Sequence, residues 1–412
     1  MRVAFNSIMS TTKILPSKVL EEIRSFKSKI LLEEIEELDI TCTSVIERSL
    51  EESYMEDPNN VRKIKAVLDY MHEKVNIGNW KEVKIYLRKT ITIVSYLRLL
   101  AHLKTCGPID EYAVREGMKI IDFGIVFGSP LDEDPTLLQK CASLLNTAIE
   151  LNVNIPSSSN VSSLDTELST LSNKYKAISL EVLNCPSMEY FYTNYIALEK
   201  PVILDKCITH WPALHKWNDR NYLLKVAGLR TVSVEVGKDY TDSNWTQKMM
   251  TIEEFITKHV YHTDGPTGYL AQYQLFQQIP ELKDDIFEPD YCSFSDTNEP
   301  VDVMAWYGPK GTLSPLHHDA KRNLLTQIVG EKQIFLFSPE DSECLYPHEH
   351  ELLTNTARVD PRNPDLIRYP KFRDAKTYYC VLRPGQMLYI PPKWWHFVES
   401  LSVSFSVSFW WT

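Results

Sequence analysis

Between residue 16 and about residue 153, apolar positions recur at three- and four-residue steps, the spacing that gathers them on one side of an α-helix. In PNNVRKIKAVLDYMHEKV, residues 58–75, Val61, Ile64, Val67, Leu68, Met71 and Val75 form such a stripe, with Asp57 to Asn60 as start signals. The segments VLEEIRSFKSKILLEEIEELDI, KEVKIYLRKTITIVSYLRLLAHL and TLLQKCASLLNTAIELNV follow the same grammar, so several antiparallel helices are predicted. NIPSSSNVSSLDTELSTLSNK is rich in serine and poor in large apolar groups, and reads as a linker. Beyond about residue 176 the period changes. Short β-branched and aromatic runs (PVILD, RTVSVEV, VDVMAWYG, LLTQIVG, QIFLFSP, YYCVLRP, MLYIPP, SVSFSVSFW) are separated by proline, glycine, aspartate and asparagine, as in an antiparallel sandwich or barrel carrying a few helices. In the last run Val403, Phe405, Val407 and Phe409 alternate with Ser402, Ser404, Ser406 and Ser408, giving one apolar face and one small polar face suited to a close-packed or cavity-lining position. The expected organisation is α+β: a helical domain over 1–153, a linker over 154–175 and a β-rich domain over 176–412.

Composition narrows the function classes. A length of 412 residues accommodates about two domains, and 43% hydrophobic with 24% charged residues is ordinary for a soluble globular chain. No apolar run reaches the ~18 residues of a membrane span, and the opening MRVAFNSIMSTTK is too interrupted by polar residues for an export signal. The eight cysteines are scattered without a C-x-x-C pair, so reduced thiols in a nuclear or cytoplasmic protein are expected rather than a zinc cage or disulfide framework. A net charge of −11 with no lysine or arginine block argues against direct nucleic-acid binding and is compatible with a cationic partner such as a basic peptide. Neither G-x-G-x-x-G nor G-x-x-x-x-G-K-[ST] occurs, which moves nucleotide-binding folds down the order.

The candidate chemistry lies in GTLSPLHHDAKRN, residues 311–323. In an extended chain residues i and i+2 share a face, so His317 and Asp319 converge while His318 turns away. A bare H-x-D is common in surface loops. His396, in PGQMLYIPPKWWHFVES, changes its meaning: it follows one predicted strand, precedes another, and can reach the mouth of the same barrel. Two imidazoles and a carboxylate leave half an ion's surface open, as non-haem Fe(II) requires for a chelating cosubstrate and O2, although three-ligand zinc draws on the same residue types. Lys332, which opens a strand after a turn at Gly330, is a candidate cation for the far carboxylate of 2-oxoglutarate, and Ser314 and Asn323 flank the ligand pair with hydrogen-bonding groups. His348 and His350 form a second H-x-H in loop-like surroundings that the metal does not need.

From about residue 176 to 412 the chain resembles the JmjC-domain oxygenases of the small hydroxylase type, within the cupin fold. EYFYTNYIALEKPVILDKCITHWPALHKW, WYGPKGTLSPLHHDAKRNLLTQIVGEKQIFLFSPEDSECLYP and LRPGQMLYIPPKWWHFVESLSVSFSVSFWW carry the resemblance. It implies a double-stranded β-helix (jelly-roll barrel), an iron triad of His317, Asp319 and His396, and 2-oxoglutarate contacts from Tyr269, Ser314, Asn323 and Lys332, with Trp410 closing the pocket. It also implies C3 hydroxylation of a protein arginine held near Glu235, Gln272 and Trp306, with succinate and CO2 as co-products. A monomer with chromatin-associated protein partners is expected, in the nucleus or cytoplasm that the scattered cysteines suggest. Glu235 lies on the face of VSVEV opposite Val232, Val234 and Val236, so a cavity-facing position fits its strand. An N-methyl-lysine demethylase is the alternative with the same iron chemistry. A peptidase (no H-E-x-x-H occurs) and a catalytically silent scaffold complete the set.

Overall fold

The computed structural model of the chain describes residues 17–79, 82–106, 109–147, 177–241, 244–261, 265–349 and 353–412. The serine-rich linker expected over 154–175 lies outside the described residues. The chain divides into two compact units, one made of residues 1–154 with Leu224–Thr231 and Gln278–Pro280, the other of the remainder.

Among the described residues the first unit contains the α-helices α1 (Ser17–Ser25), α2 (Ile40–Ser49), α3 (Pro58–Val75), α4 (Ile85–Thr105), α5 (Glu111–Phe127) and α6 (Leu137–Asn146). Start chemistry follows the sequence. Asp57 caps α3 by accepting from the Asn59 N–H with Pro58 at the first helical position, and Asp110 caps α5 through the Ala113 N–H. Helix α4 is apolar on nearly every side, and from Thr90 to Leu103 almost all of it is buried, so it is the post around which α3 and α5 pack. The predicted helix over 19–40 is instead broken. After α1 the chain makes two short 3-10 turns, with extended Ile30 between them, and Asp39 restarts it as the cap of α2. Helix α5 was not among the segments singled out from the sequence. It contains Gly117 and Gly124, and a Cβ on Gly124 would stand 2.6 Å from both Leu138 Cδ1 and Ser95 Cβ, so close packing against α4 and α6 explains a glycine that lowers helix propensity. Within this unit Asp122, 1% exposed, accepts from Arg230 Nε at 2.8 Å, from Gln278 Nε2 at 2.8 Å and from the Thr231 N–H.

Among the described residues fourteen strands build the second unit, β4 beginning one residue before it: β1 (Ile178–Ser179), β2 (Val182–Asn184), β3 (Val202–Asp205), β4 (Thr231–Val236), β5 (Thr246–Thr251), β6 (Gly268–Tyr273), β7 (Asp302–Gly308), β8 (Leu313–His317), β9 (Arg322–Val329), β10 (Lys332–Phe337), β11 (Tyr378–Leu382), β12 (Met387–Ile390), β13 (Trp395–Ser400) and β14 (Ser404–Trp411). They form a five-stranded sheet in the order β1-β11-β10-β13-β8 and a nine-stranded sheet in the order β2-β3-β12-β9-β14-β7-β6-β4-β5. The pairings in the barrel core are antiparallel, so the predicted cupin jelly roll is what forms. Between β9 and β10 the chain passes from one sheet to the other through Gly330 at φ +70°, where a Cβ would sit 2.0 Å from the Val403 carbonyl oxygen. The serine face of β14 points inward. Ser404, Ser406 and Ser408 are buried; Gln327 donates to Ser404 Oγ, and Ser406 Oγ donates to Gln327 Oε1, each at 2.8 Å.

Candidate metal and cosubstrate site

The antiparallel pairing of β8 and β13 sets His317 directly opposite His396, with ring centroids 4.3 Å apart. His396 therefore lies inside a strand, not in the connection between two strands that the sequence suggested. Asp319 follows the end of β8, and its carboxylate faces both rings: Oδ1 is 3.9 Å from His317 Nε2 and Oδ2 is 3.6 Å from His396 Nε2. One ligand atom from each of the three residues falls within 4.8 Å of the others, the one such group of possible metal ligands among the described residues. His348 is outside it, in a separate cleft with Lys238 and Arg358, and His350 lies outside the described residues.

Backbone contacts prepare these side chains for an ion. His317 Nδ1 is 2.7 Å from the Pro315 carbonyl oxygen and His396 Nδ1 is 2.9 Å from that of Trp394. A carbonyl only accepts, so each Nδ1 carries the proton and each Nε2 presents a lone pair toward Asp319. Burial, reinforced by neighbouring His317, pushes His396 down to about 4, which keeps it neutral and able to ligate at pH 7. Asp319 Oδ2 is buried with no hydrogen-bond partner, an unsatisfied acceptor that a cation between the three groups would satisfy. The residues present thus fit a 2-His-1-carboxylate metal centre. The connections around the triad are tied down as well. The Lys393 N–H donates to the Asp319 carbonyl at 2.7 Å, and Asn355 clasps His318 through two backbone-directed hydrogen bonds of 3.0 and 3.1 Å. His318 itself turns away to the Trp395 ring, 4.6 Å between centroids.

Beside the triad, one pocket is lined by all five residues expected to contact a cosubstrate: Tyr269, Ser314, Asn323, Lys332 and Trp410. Lys332 is 1% exposed, against the general tendency of a lysine next to a turn to be solvated. Its Nζ donates to Tyr269 Oη at 3.2 Å, and burial pushes it down to about 7, with no carboxylate paired to it among the described residues. Asn323 Oδ1 and Trp410 Nε1 are also buried without partners. A buried ammonium and two unpaired polar atoms converging on one space are the complement of a small polar anion.

The cleft above, about 340 Å³, contains Glu235, Gln272 and Trp306, the residues expected at the substrate, together with Tyr240, Leu353, Asn355, Thr356 and the edge of the triad. Glu235 faces it from the side of β4 opposite the three buried valines. Burial raises the Glu235 pKa, and Trp245 Nε1 opposes the shift by donating to Oε2 at 3.2 Å. Trp306 donates to Ser408 Oγ at 3.0 Å and meets the Trp410 ring edge-on at 6.2 Å. Gln272 adopts φ +47° where β6 bulges, which aims it out of the sheet register. Tyr240, Trp245, Asn355 and Thr356 were not identified from sequence, because each belongs to irregular chain with no periodic signal. For Lys393, at φ +62°, the preceding Pro391-Pro392 is a turn signal that could have found it.

A family model described as "Cupin-like domain" matches residues 188–412. Over 97% of its length the chain is 39% identical to the lysine-specific demethylase 8 of Danio rerio, 98% of which is covered. It is also 39% identical to the Jumonji C domain-containing protein 5 of Drosophila melanogaster, across 84% of this chain and 85% of that protein. The lysine-specific demethylase JMJ30 of Arabidopsis thaliana is 46% identical over 55% of this chain and 53% of its own.

Proposed function

From the premise that the chain belongs to the cupin-like JmjC family of oxygenases, which work with ferrous iron and 2-oxoglutarate, we propose that it hydroxylates an arginine side chain in a protein substrate. The observation that carries this reading is Glu235: a carboxylate set in the cleft that opens onto the triad, held on one oxygen by Trp245 and, among the described residues, without a cation beside it.

His317, Asp319 and His396 would hold the iron through Nε2, a carboxylate oxygen and Nε2. Iron with 2-oxoglutarate and O2 supplies an oxidant for an unactivated C–H bond, with succinate and CO2 as co-products. The chain's own residues do the rest. Lys332 pairs with the far carboxylate of the keto acid, and that anion restores the ammonium that burial disfavours. Tyr269, Ser314, Asn323 and Trp410 orient the same group by hydrogen bonds and exclude water. Glu235 pairs with an incoming guanidinium, for which a planar fork of donors and a carboxylate are matched, and Trp306 offers a ring face for it to stack on. Held at its end, the side chain presents a methylene to the metal rather than its nitrogens.

The relatives' names speak for demethylation of lysine, which is the second reading. A methylammonium is recognised by aromatic cages and by carbonyl contacts, and it lacks the planar pair of N–H donors that matches both oxygens of a carboxylate. Mass spectrometry decides between them: with iron, 2-oxoglutarate and an arginine-bearing peptide we expect one oxygen atom gained on arginine and no formaldehyde. Loss of methyl groups from methyl-lysine with formaldehyde release would replace the proposal by demethylation, and new peptide termini without 2-oxoglutarate consumption would replace it by proteolysis. We place the enzyme in the nucleus with chromatin-associated protein substrates, in keeping with the demethylase names of its relatives. Among the described residues no helix is long and apolar enough to cross a membrane.

A further inference from the structure

At one edge of the nine-stranded sheet, β2 and β3 run parallel with Asn184 opposite Asp205, and each ends on a cysteine within two residues. Continuing this register would set Cys185 opposite Lys206, the residue just before Cys207. The Cys185 N–H donates to the Asp205 carbonyl at 2.9 Å, and Cys207 Sγ lies 3.5 Å from that same carbonyl oxygen. Both sulfurs approach one phenol: Tyr291 Oη is 3.9 Å from Cys207 Sγ and 4.0 Å from Cys185 Sγ, while its hydroxyl donates to the Pro186 carbonyl at 2.6 Å. Sharing that phenol, the two sulfurs lie on the same side of the strand ends.

Backbone conformation is spent on this arrangement. Of the six described non-glycine residues with positive φ, two belong to the pair: Cys185 itself at +41° and Lys206, next to Cys207, at +61°. Neither residue type favours that region, and such strain marks positions where a side chain has to be aimed. Exposure is divided between the two sulfurs, since Cys185 is open to solvent and Cys207 is half-buried.

We infer that Cys185 and Cys207 are a peroxide-sensitive dithiol that closes to an intramolecular disulfide, a modification site separate from the oxygenase centre. Hydrogen peroxide oxidises the exposed Cys185 thiol to a sulfenic acid and releases water. The Cys207 sulfur then attacks that sulfur, expels its oxygen as a second water and forms the S–S bond. Overall two thiols lose two electrons and two protons, and one peroxide is reduced to two waters. Burial pushes the Cys207 thiol up to about 12, so Cys207 is the slower nucleophile and the partner that resolves, not the one that meets peroxide.

The test treats the full chain with hydrogen peroxide and maps its thiols by alkylation and peptide mass spectrometry. The expected result is loss of two of the eight free thiols, a single cross-linked peptide pair joining 185 and 207, and full reversal by dithiothreitol. Cys185→Ser and Cys207→Ser should each abolish the cross-link. Stepwise oxidation of Cys185 to sulfinic acid without a cross-link would overturn the inference. So would unchanged thiols at peroxide levels that oxidise glutathione, or a disulfide to any other cysteine. The wild-type map alone can refute it, whatever the folding of the variants.

Discussion

Lys332 links the stability of the protein to its cosubstrate, and the link can be measured. Its ammonium is 1% exposed, its one side-chain hydrogen-bond partner among the described residues is the neutral Tyr269 hydroxyl, and burial moves its titration from 10.5 to about 7. A displacement of this size corresponds to about 5 kcal/mol of unfavourable burial when the group is charged, at ~1.4 kcal/mol per unit. The sign follows from proton counting. Between pH 7 and 10.5 the unfolded chain carries a proton that the folded chain has shed, so stability without ligand rises with pH across that window, by at most ~1.4 kcal/mol per pH unit. Below pH 7 both states are protonated and the full penalty stands. Replacing Lys332 by methionine, of similar volume and no charge, should stabilise the ligand-free catalytic unit at pH 7 by several kcal/mol while removing 2-oxoglutarate turnover. Denaturant unfolding followed by tryptophan fluorescence reports on this unit, since eight of the nine tryptophans follow residue 176. The variant should also lose the rise in stability from pH 7 to 9. Binding of 2-oxoglutarate to the wild type at pH 8.5 should take up close to one proton, seen as a buffer-dependent heat in calorimetry. A variant less stable than the wild type, or wild-type binding with no proton uptake, would refute the assignment of a buried cation awaiting an anion.

Asp319→Ala should abolish 2-oxoglutarate consumption while far-UV circular dichroism stays that of the folded protein; retained turnover would reject the triad. Because burial raises the Glu235 pKa, kcat/KM for an arginine peptide should fall with decreasing pH at a point above the ordinary glutamate range; in Glu235→Gln this acid limb should vanish with a loss of 10²-fold or more in kcat/KM, read from initial rates across pH 5–8. In the helical unit, Asp122→Ala leaves Arg230 and the Thr231 N–H without their acceptor and should cost about 3–5 kcal/mol in thermal or denaturant unfolding.

The strands of the barrel were legible because burial on two sides requires β-branched and aromatic runs, and eight such runs mark β3, β4, β7, β9, β10, β11, β12 and β14. The short strands β1 and β2 and the largely exposed β5 carry no comparable run, and β1 pairs with β11, far along the chain. The break after α1 was hidden because 3-10 turns preserve approximate three-residue spacing, so Ile30, Ile35 and Leu38 stay in phase with the stripe while the helix has ended. At the site, H-x-D and a distant histidine sufficed to nominate the triad, since strand geometry alone makes residues two apart converge. The depth of Lys332, the clasp of Asn355 on His318 and the hold of Trp245 on Glu235 depend on tertiary contacts that leave no local pattern. The proposed boundary between the two units, in the serine-rich segment, rests on composition.

The serines of β14 also decide what the barrel can accept. Ser408 contributes to the wall of the cosubstrate pocket and supports Trp306, in a position that its strand neighbours Val407 and Phe409, on the other face, would fill had the alternation begun one residue later. Capacity is therefore metered by a side chain that takes no part in the chemistry. Exchanging Ser408 for glycine would open room for a keto acid bearing an extra substituent, whereas valine would shut out the natural one with iron still in place, so a single position sets the size of cosubstrate the barrel admits.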